Sequence, residues 1–203
     1  MNPPCHVIVM AKAPVAGFAK TRLIPALGAQ GAAALAQRLL QHALDQARLA
    51  ALGAVELCCA PDARDAGFAA WVHAPGVTLT DQGDGDLGHR MARAIERGLG
   101  THHRVLLFGT DAPALDANVL RAAATALETH DAVFVPALDG GYVLVGLRRP
   151  MPWLFDRMPW STSEVMQRSR DRLAQAGVAH AELAPLADID VPADLVHLPP
   201  GWR

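Results

Sequence analysis

Three cationic side chains lie within a short segment that follows the first apolar run. Residues 12–23 read KAPVAGFAKTRL and contain Lys12, Lys20 and Arg22 together with one glycine, Gly17. Cationic side chains make strong charge-assisted hydrogen bonds to phosphate, and a glycine lets the backbone bend around an anion. The composition therefore predicts a phosphate-binding loop, with a solvated basic loop as the alternative.

Two familiar phosphate-binding motifs do not fit this loop. When Lys20 and Thr21 are aligned with the end of the GxxxxGK[ST] pattern, Pro14 and Ala19 occupy the glycine positions. Both residues restrict a backbone that must wrap around phosphates. The GxGxxG fingerprint of dinucleotide-binding proteins is also missing after this strand. The sequence thus argues against a P-loop NTPase and a Rossmann dehydrogenase.

A carboxylate ends another apolar run. Residues 105–113 read VLLFGTDAP, so Thr110 and Asp111 follow the predicted strand directly. Mg²⁺ takes one or two protein carboxylates and completes its shell with substrate oxygens and water, so Asp111 could hold a divalent cation against bound phosphates. The alternative is a turn or helix cap, but Asp116 is better placed to cap the next helix. This placement favours the metal role for Asp111.

Two further segments could contribute polar groups. Asp139, Gly140 and Gly141 lie between two predicted strands. They suit a hairpin turn, although adjacent glycines also allow a substrate to approach the backbone closely.

An acidic cluster lies near the C-terminus, where Asp188, Asp190 and Asp194 occur close to Pro192. Helix capping by Asp190, with the other two carboxylates in solvent, is the simple interpretation. Only convergence with Asp111 in space would make these residues metal ligands.

Alternating strands and helices would position these residues. Apolar runs predict strands at 7–11, 55–60, 77–80, 105–108, 132–137 and 142–147 and a weak one at 181–184. Helical periodicity predicts helices at 31–52, 87–98, 117–129 and 162–176, the first closed by Gly53 and the last opened by a capping box of Ser161 and Glu164. The pattern is typical of an α/β protein, in which ligands bind outside the carboxyl ends of the strands.

Composition limits the class of protein. The 203 residues carry 18 Lys and Arg against 20 Asp and Glu, a net charge of −2, which argues against sequence-independent nucleic-acid binding. The length predicts one domain over residues 1–203. Three cysteines, two of them adjacent, argue against a disulfide framework. The first apolar run is too short for a signal peptide or a membrane span, so we expect a cytoplasmic protein.

Six motifs occur in a recognisable order: KAPVAGFAKTRL, QGDGDLGHRM, GTDAP, DGGYVLVG, PWSTSEV and DIDVPADL. With these motifs the chain resembles the radical-SAM/selenodomain-associated transferase family, bacterial proteins with the glycosyltransferase-A (GT-A), or nucleotide-diphospho-sugar transferase, fold. The resemblance implies a three-layer α/β/α Rossmann-like architecture with a predominantly parallel mixed sheet.

The resemblance also implies roles for individual residues. Candidate nucleotide and phosphate ligands are Lys12, Gly17, Lys20, Arg22, Gln82, Gly83 and Thr110, with Gln82 and Gly83 near the base or ribose. Asp111 and Asp190 would bind Mg²⁺ or Mn²⁺, and Gly140, Gly141 and Tyr142 would face the acceptor or sugar.

The expected activity is that of a metal-dependent transferase. It would use a nucleotide or nucleotide-sugar donor and transfer a glycosyl group to a small-molecule acceptor whose hydroxyl Asp139 activates. Two alternatives stay open: nucleotidyl transfer to a phosphorylated small molecule, and nucleotide binding without turnover.

Overall fold

A computed structural model describes residues 5–202 of the chain. Its strands are β1 (Cys5–Lys12), β2 (Val55–Ala60), β3 (Val77–Asp81), β4 (Arg104–Gly109), β5 (Ala132–Pro136), β6 (Tyr142–Leu147) and β7 (His180–Glu182). Its helices are α1 (Ile24–Ala50), α2 (Leu87–Leu99), α3 (Ala117–Ala126) and α4 (Val165–Gln175). Every predicted strand and helix is present in the described chain.

The strands form one sheet in the order β3-β2-β1-β4-β6-β5-β7. Strand β6 runs antiparallel to its neighbours β4 and β5, whereas the other neighbouring strands are parallel. The predicted α/β Rossmann-like fold with a mostly parallel mixed sheet is therefore confirmed. The carboxyl ends of β1 and β4 are adjacent, so the loops that follow these two strands lie side by side.

Each face of the sheet is covered by helices because successive strand side chains point to opposite faces. Val7 and Val9 of β1 pack into a core with buried residues of α1 and α3. Ile8 and Met10 of the same strand pack into a second core with residues of α2 and α4. These two cores make the three layers that the sequence predicts.

The boundaries of helix α1 differ from those predicted from the sequence pattern. Helix α1 begins at Ile24 rather than at 31, with a proline in its first turn, and Gly28 interrupts it with a φ of 70°. The helix ends in a left-handed residue, but this is Ala51 and not the expected Gly53. Because the interruption breaks the apolar periodicity, the sequence pattern revealed only the part beyond Gly28.

The capping box expected at the start of the last helix is not formed. Helix α4 begins at Val165, and Ser161 lies before it with a φ of 64°. Thr162 Oγ1 instead accepts a hydrogen bond from the Glu164 amide at 3.4 Å. Residues 161–164 thus form a loop that approaches the carboxyl edge of the sheet.

Within residues 5–202, no helix combines the length and apolar character needed to cross a lipid bilayer. All three cysteines are buried free thiols.

Candidate functional site

A cleft of about 610 Å³ opens at the carboxyl ends of the central strands. Ten of the residues singled out from sequence line it: Lys12, Lys20, Arg22, Gln82, Thr110, Asp111, Asp139, Gly141, Tyr142 and Asp190. Gly17, Gly83 and Gly140 do not line it. The fold thus brings the first loop, the end of β4, the hairpin turn and the C-terminal acidic segment together.

The loop after β1 folds back on itself before it enters α1. The amides of Phe18 and Ala19 both donate to the carbonyl oxygen of Val15 at 3.0 Å. Gly17 lies at the tip of this turn with a φ of 84°, in the left-handed region that favours glycine. Gly17 therefore shapes the loop, while the cationic side chains reach the cleft.

Lys20 ties three segments of the chain together. Its Nζ donates to Asp111 Oδ1 at 2.6 Å and to the carbonyl oxygen of Ile189 at 2.5 Å. The Ile189 amide in turn donates to the backbone oxygen of Asp111 at 2.8 Å. The first loop, the end of β4 and the C-terminal segment therefore meet at one ammonium group.

Arg22 pairs with Asp190 in a more exposed position at the edge of the cleft. Asp190 does not cap the short helical turn at Pro192–His197. Asp194 fills that role, because its Oδ2 accepts the amides of Asp190 at 2.9 Å and Val191 at 2.7 Å. The capping alternative is therefore wrong for Asp190, whose carboxylate is held by a cation of the first loop.

Asp188 belongs to the acidic cluster named from the sequence, but the metal role was expected of Asp190 instead. It lines the cleft and is partly buried. Burial raises the pKa of its carboxyl to about 6, and the nearby carboxylates of Asp139 and Asp111 add to the rise. Asp111, Asp139 and Asp188 therefore form a group of carboxylates whose charges act on one another.

The carboxylates suit a cation in part. Among residues 5–202, no group of three or more His, Cys, Asp or Glu side chains has the spacing of a complete metal site. The pKa of Asp188 is nevertheless raised, first by burial and then by the carboxylates of Asp139 and Asp111, which lie in the same cleft. The donor set fits a divalent cation that takes its remaining ligands from phosphate oxygens and water.

Gln82 holds the sheet edge together beneath the cleft. Its buried side-chain Nε2 donates to the carbonyl oxygens of Ala11 at 3.1 Å and Cys58 at 3.0 Å, bridging β1 and β2. Gly83 has a φ of 72°, and an added Cβ would lie 2.5 Å from Nη1 of Arg93. Loop geometry thus accounts for Gly83, and its expected contact with a base or ribose has no support in the lining of the cleft.

The segment between β5 and β6 is the hairpin turn that the sequence predicts, and part of it lines the cleft. Asp139 Oδ1 accepts the Gly141 amide at 2.9 Å, as in an ordinary turn, and both residues line the cleft. Gly140 faces away: its φ is 95°, its carbonyl accepts the Met166 amide, and a Cβ would overlap the backbone of Ser163. The requirement for glycine at Gly140 is therefore structural, since it docks the turn on α4.

Aromatic rings form one wall of the cleft. The ring of Tyr142 packs edge-on against Trp160 with centroids 6.3 Å apart and against Phe134 at 5.2 Å. Burial raises the pKa of Tyr142, and its hydroxyl has no hydrogen-bond partner among the described residues. Trp160 is a second lining residue; it lies in the PWSTSEV motif, but the sequence analysis gave it no individual role.

Comparison with known families shows which family this chain belongs to. The family described as "Uncharacterized protein conserved in bacteria (DUF2064)" matches residues 43–162, which is more than half of the chain. The chain belongs to the DUF2064 family. It is similar to a "putative nucleotide-diphospho-sugar transferase" from Desulfovibrio desulfuricans G20, with 31% identity and a TM-score of 0.86 over 94% of this chain and 84% of that one. A comparison with curated proteins gave no match.

More distant structures share the fold of this DUF2064 protein. A CMP:2-keto-3-deoxy-manno-octonic acid synthetase complexed with CTP has 13% identity and a TM-score of 0.60, with 96% of each chain covered. Rv0371c from Mycobacterium tuberculosis H37Rv, in complex with manganese, has 17% identity and a TM-score of 0.55, with 97% of this chain and 98% of that one covered. The 31% identical structure supports the prediction that this chain is a transferase, and the more distant structures show the shared fold.

Proposed function

We propose that this DUF2064 protein is a metal-dependent transferase that binds a nucleotide or nucleotide-sugar donor in the cleft. The observation that carries the proposal is the meeting of a cationic loop and a group of carboxylates at the carboxyl ends of β1 and β4. A donor diphosphate carries negative charge that cations must neutralise, and a bound metal needs carboxylate oxygens. The cleft supplies both in one place, and the residues 1–203 would act as one domain.

The first loop would bind the donor phosphates. Lys12 is exposed at the end of β1, lines the cleft and has no ion pair within residues 5–202. The Arg22 guanidinium has five N–H donors, and Asp190 accepts a hydrogen bond from Nη1. The remaining N–H groups can donate to a phosphate oxygen. Thr110 lines the cleft beside Asp111 and adds a hydroxyl.

We assign the metal to Asp111 and Asp188 rather than to Asp111 and Asp190. Asp188 lines the cleft and has no ion pair within residues 5–202, and its charge is disfavoured by burial and then by Asp139 and Asp111. Asp190 is paired with Arg22, and the pairing of Asp111 with Lys20 leaves Oδ2 of Asp111 without a hydrogen bond in the described residues. A Mg²⁺ or Mn²⁺ ion bound there would stabilise negative charge on the departing diphosphate. Asp190 would then orient Arg22 toward the phosphates.

The acceptor would lie at the hairpin turn. Asp139 is exposed, lines the cleft and is held by the Gly141 amide, so its free oxygen can accept the proton of an acceptor hydroxyl. The acceptor oxygen then bonds to the sugar carbon while the bond from that carbon to the diphosphate oxygen breaks, and its electron pair leaves with the nucleoside diphosphate. Gly141 and the Tyr142 ring would contact the acceptor or sugar.

Nucleotidyl transfer is the second candidate, favoured by the fold shared with the CTP-bound synthetase. In that reaction a phosphate oxygen of the second substrate attacks the α-phosphate and pyrophosphate leaves. The same cations and carboxylates would serve it. The narrower resemblance to radical-SAM/selenodomain-associated transferases stays part of this proposal and rests on the six motifs.

A ligand screen tests the proposal. The unfolding temperature would be measured with nucleoside triphosphates and nucleotide-sugars, each with Mg²⁺, with Mn²⁺ and with EDTA, because a ligand of the native state raises stability by mass action. We expect at least one nucleotide to raise the unfolding temperature only when a divalent cation is present. Loss of that shift in Asp111→Asn but not in Asp171→Asn, an exposed carboxylate on α4, would locate it in the cleft. The absence of any metal-dependent shift across the panel would contradict the proposal, while a shift without turnover of any acceptor would favour nucleotide binding alone.

A further inference from the structure

A buried ammonium group lies beside the carboxylates of the cleft. The side chain of Lys20 is only 7% exposed, whereas that of its partner Asp111 is 47% exposed. Lysine is almost never buried to this degree unless it is paired. Here the pairing is with Asp111 Oδ1 at 2.6 Å and the Ile189 carbonyl at 2.5 Å, so the charge is held in place by two acceptors.

The backbone at Lys20 is also specialised. Lys20 adopts a φ of 49° and a ψ of 42°, a left-handed conformation that L-residues other than glycine rarely adopt. Such a conformation persists only where the surroundings hold it in place. The same residue therefore accepts an unfavourable backbone geometry and a buried charge, and both place its ammonium next to Asp111.

Both side-chain contacts to Asp111 fall on one oxygen. Oδ1 accepts from Lys20 Nζ and from Thr110 Oγ1 at 3.1 Å, and within the described residues no hydrogen bond to Oδ2 is present. The ammonium thus occupies a position that a divalent cation bound to Asp111 would contest, since two cations repel each other at such distances. An ammonium has three N–H donors, so Lys20 retains one that neither Asp111 nor Ile189 uses.

We propose that Lys20 is the resident countercation of the cleft, and that it exchanges Asp111 for a phosphate oxygen when a divalent cation and a diphosphate bind together. This inference rests on the proposed function and deepens it. It makes cation and diphosphate binding cooperative: the cation alone must displace Lys20, whereas the diphosphate offers Lys20 a new partner. The free protein would therefore bind the cation alone weakly and would bind the cation together with a diphosphate more tightly.

Manganese titrations test the exchange, with free Mn²⁺ measured by electron paramagnetic resonance in the presence and absence of inorganic pyrophosphate. For the unmodified protein we expect Mn²⁺ affinity to rise at least about tenfold when pyrophosphate is added. Lys20→Met should bind Mn²⁺ alone about tenfold more tightly than the unmodified protein, because Asp111 loses its countercation. The further gain from pyrophosphate should be much smaller in this variant, because no ammonium remains to be transferred.

Two variants control for folding and for net charge. Lys20→Gln removes the charge but keeps an N–H donor for the Ile189 carbonyl, and it decides the matter if Lys20→Met does not fold. Arg64→Met removes one charge at an exposed position outside the cleft and should leave Mn²⁺ affinity unchanged. The inference is overturned if both Lys20 variants bind Mn²⁺ no more tightly than the unmodified protein, or if Arg64→Met gains as much. Failure of the unmodified protein to bind Mn²⁺ even with pyrophosphate would instead overturn the proposed function.

Discussion

Two partly or fully buried carboxylates in this molecule, Glu56 and Asp188, have pKa values that are shifted in opposite directions. On the sheet face covered by α2, Glu56 is 3% exposed and accepts hydrogen bonds from His6 Nε2 at 2.8 Å and Thr80 Oγ1 at 2.6 Å, and it pairs with Arg97. Burial acts to raise the pKa of Glu56, but the hydrogen bonds from His6, Arg97 and Thr80 outweigh it and lower the pKa to about 2.

The cleft shows the reverse balance. Burial and neighbouring carboxylates raise the pKa of Asp188 to about 6, and its neighbours include Asp111 and Asp139. Both carboxylate oxygens of Glu56 have hydrogen-bonding or charged partners within the protein, whereas Asp188 is partly buried beside other carboxylates and has no ion pair within residues 5–202. A cluster of charged side chains therefore indicates a ligand site when the protein does not supply a partner for each charge.

The largest expected effect is on acid stability. Because the folded-state pKa of Glu56 is lowered, from 4.5 to about 2, its contribution is present above about pH 4.5 and is lost as the pH falls toward 2. A shift of this size corresponds to about 3 kcal/mol. Glu56→Gln should therefore lower the free energy of unfolding by about 3 kcal/mol at neutral pH, and the difference from the unmodified protein should shrink between pH 4.5 and 2.

Urea unfolding at several pH values measures this effect. Glu182→Gln is the matched control, because the more exposed pair of Glu182 with Arg170 should contribute about 1 kcal/mol or less. If both variants lose the same free energy of unfolding, or if the loss in Glu56→Gln does not change with pH, then the Glu56 carboxylate does not stabilise the fold through its charge.

The next effect concerns ligand binding. Asp111→Asn should weaken metal-dependent nucleotide binding by about 100-fold, equivalent to about 2.7 kcal/mol, because the metal loses a charged ligand. The free energy of unfolding should fall as well, because the nearly buried ammonium of Lys20 loses its carboxylate partner. Calorimetric titration of nucleotide with Mg²⁺ measures the binding, and an affinity equal to that of the unmodified protein would remove Asp111 from the site.

A somewhat smaller loss is expected at Arg22. Arg22→Ala should cost roughly 1.5 to 3 kcal/mol of nucleotide binding energy, the usual contribution of a charge-assisted hydrogen bond. Because Arg22 is well exposed, folding should be nearly unaffected. Calorimetry on Arg22→Ala and on the distant control Arg64→Ala would separate a phosphate contact from a general effect of charge. Equal affinities in these two variants would count against the first loop.

The smallest expected effect is on the stability of an Asp188 variant, and its sign is opposite to that of Glu56→Gln. Asp188→Asn should raise the free energy of unfolding slightly, by up to about 1 kcal/mol, because it removes a partly buried charge and its repulsion from Asp139 and Asp111. The same change should weaken the binding of Mn²⁺ with nucleotide. A variant that loses stability at neutral pH would show that Asp188 is satisfied by the protein, like Glu56.

The sequence predicted the elements of this fold because its strands are short, apolar and bounded by clear breaks. It also predicted that the candidate ligand-binding residues would lie in loops after the strands, since ligands of open α/β sheets bind outside the carboxyl ends of the strands. Asp116 was correctly expected to cap α3, where its Oδ1 accepts the amides of Asn118 and Val119. These inferences depend on local pattern and on the general geometry of parallel sheets.

What the sequence could not predict depends on contacts between distant segments. The bridge between Ala137 and Leu186 places the C-terminal segment beside the hairpin turn and so brings Asp188 to the cleft. Spacing alone does not show which carboxylate of DIDVPADL turns inward. The pairing of Lys20 with Asp111 joins residues 91 positions apart in sequence. The need for glycine at Gly140 follows only from the backbone of Ser163, which leaves no space for a Cβ.

Anomalous X-ray scattering from a crystal soaked with Mn²⁺ and pyrophosphate would locate the metal. We expect a manganese peak at about 2.1 Å from carboxylate oxygens of Asp111 and Asp188, with further oxygens from the diphosphate. We also expect the Lys20 ammonium to move from Asp111 to a phosphate oxygen. A manganese ion held by other residues, with Lys20 still paired to Asp111, would contradict both the metal site and the exchange.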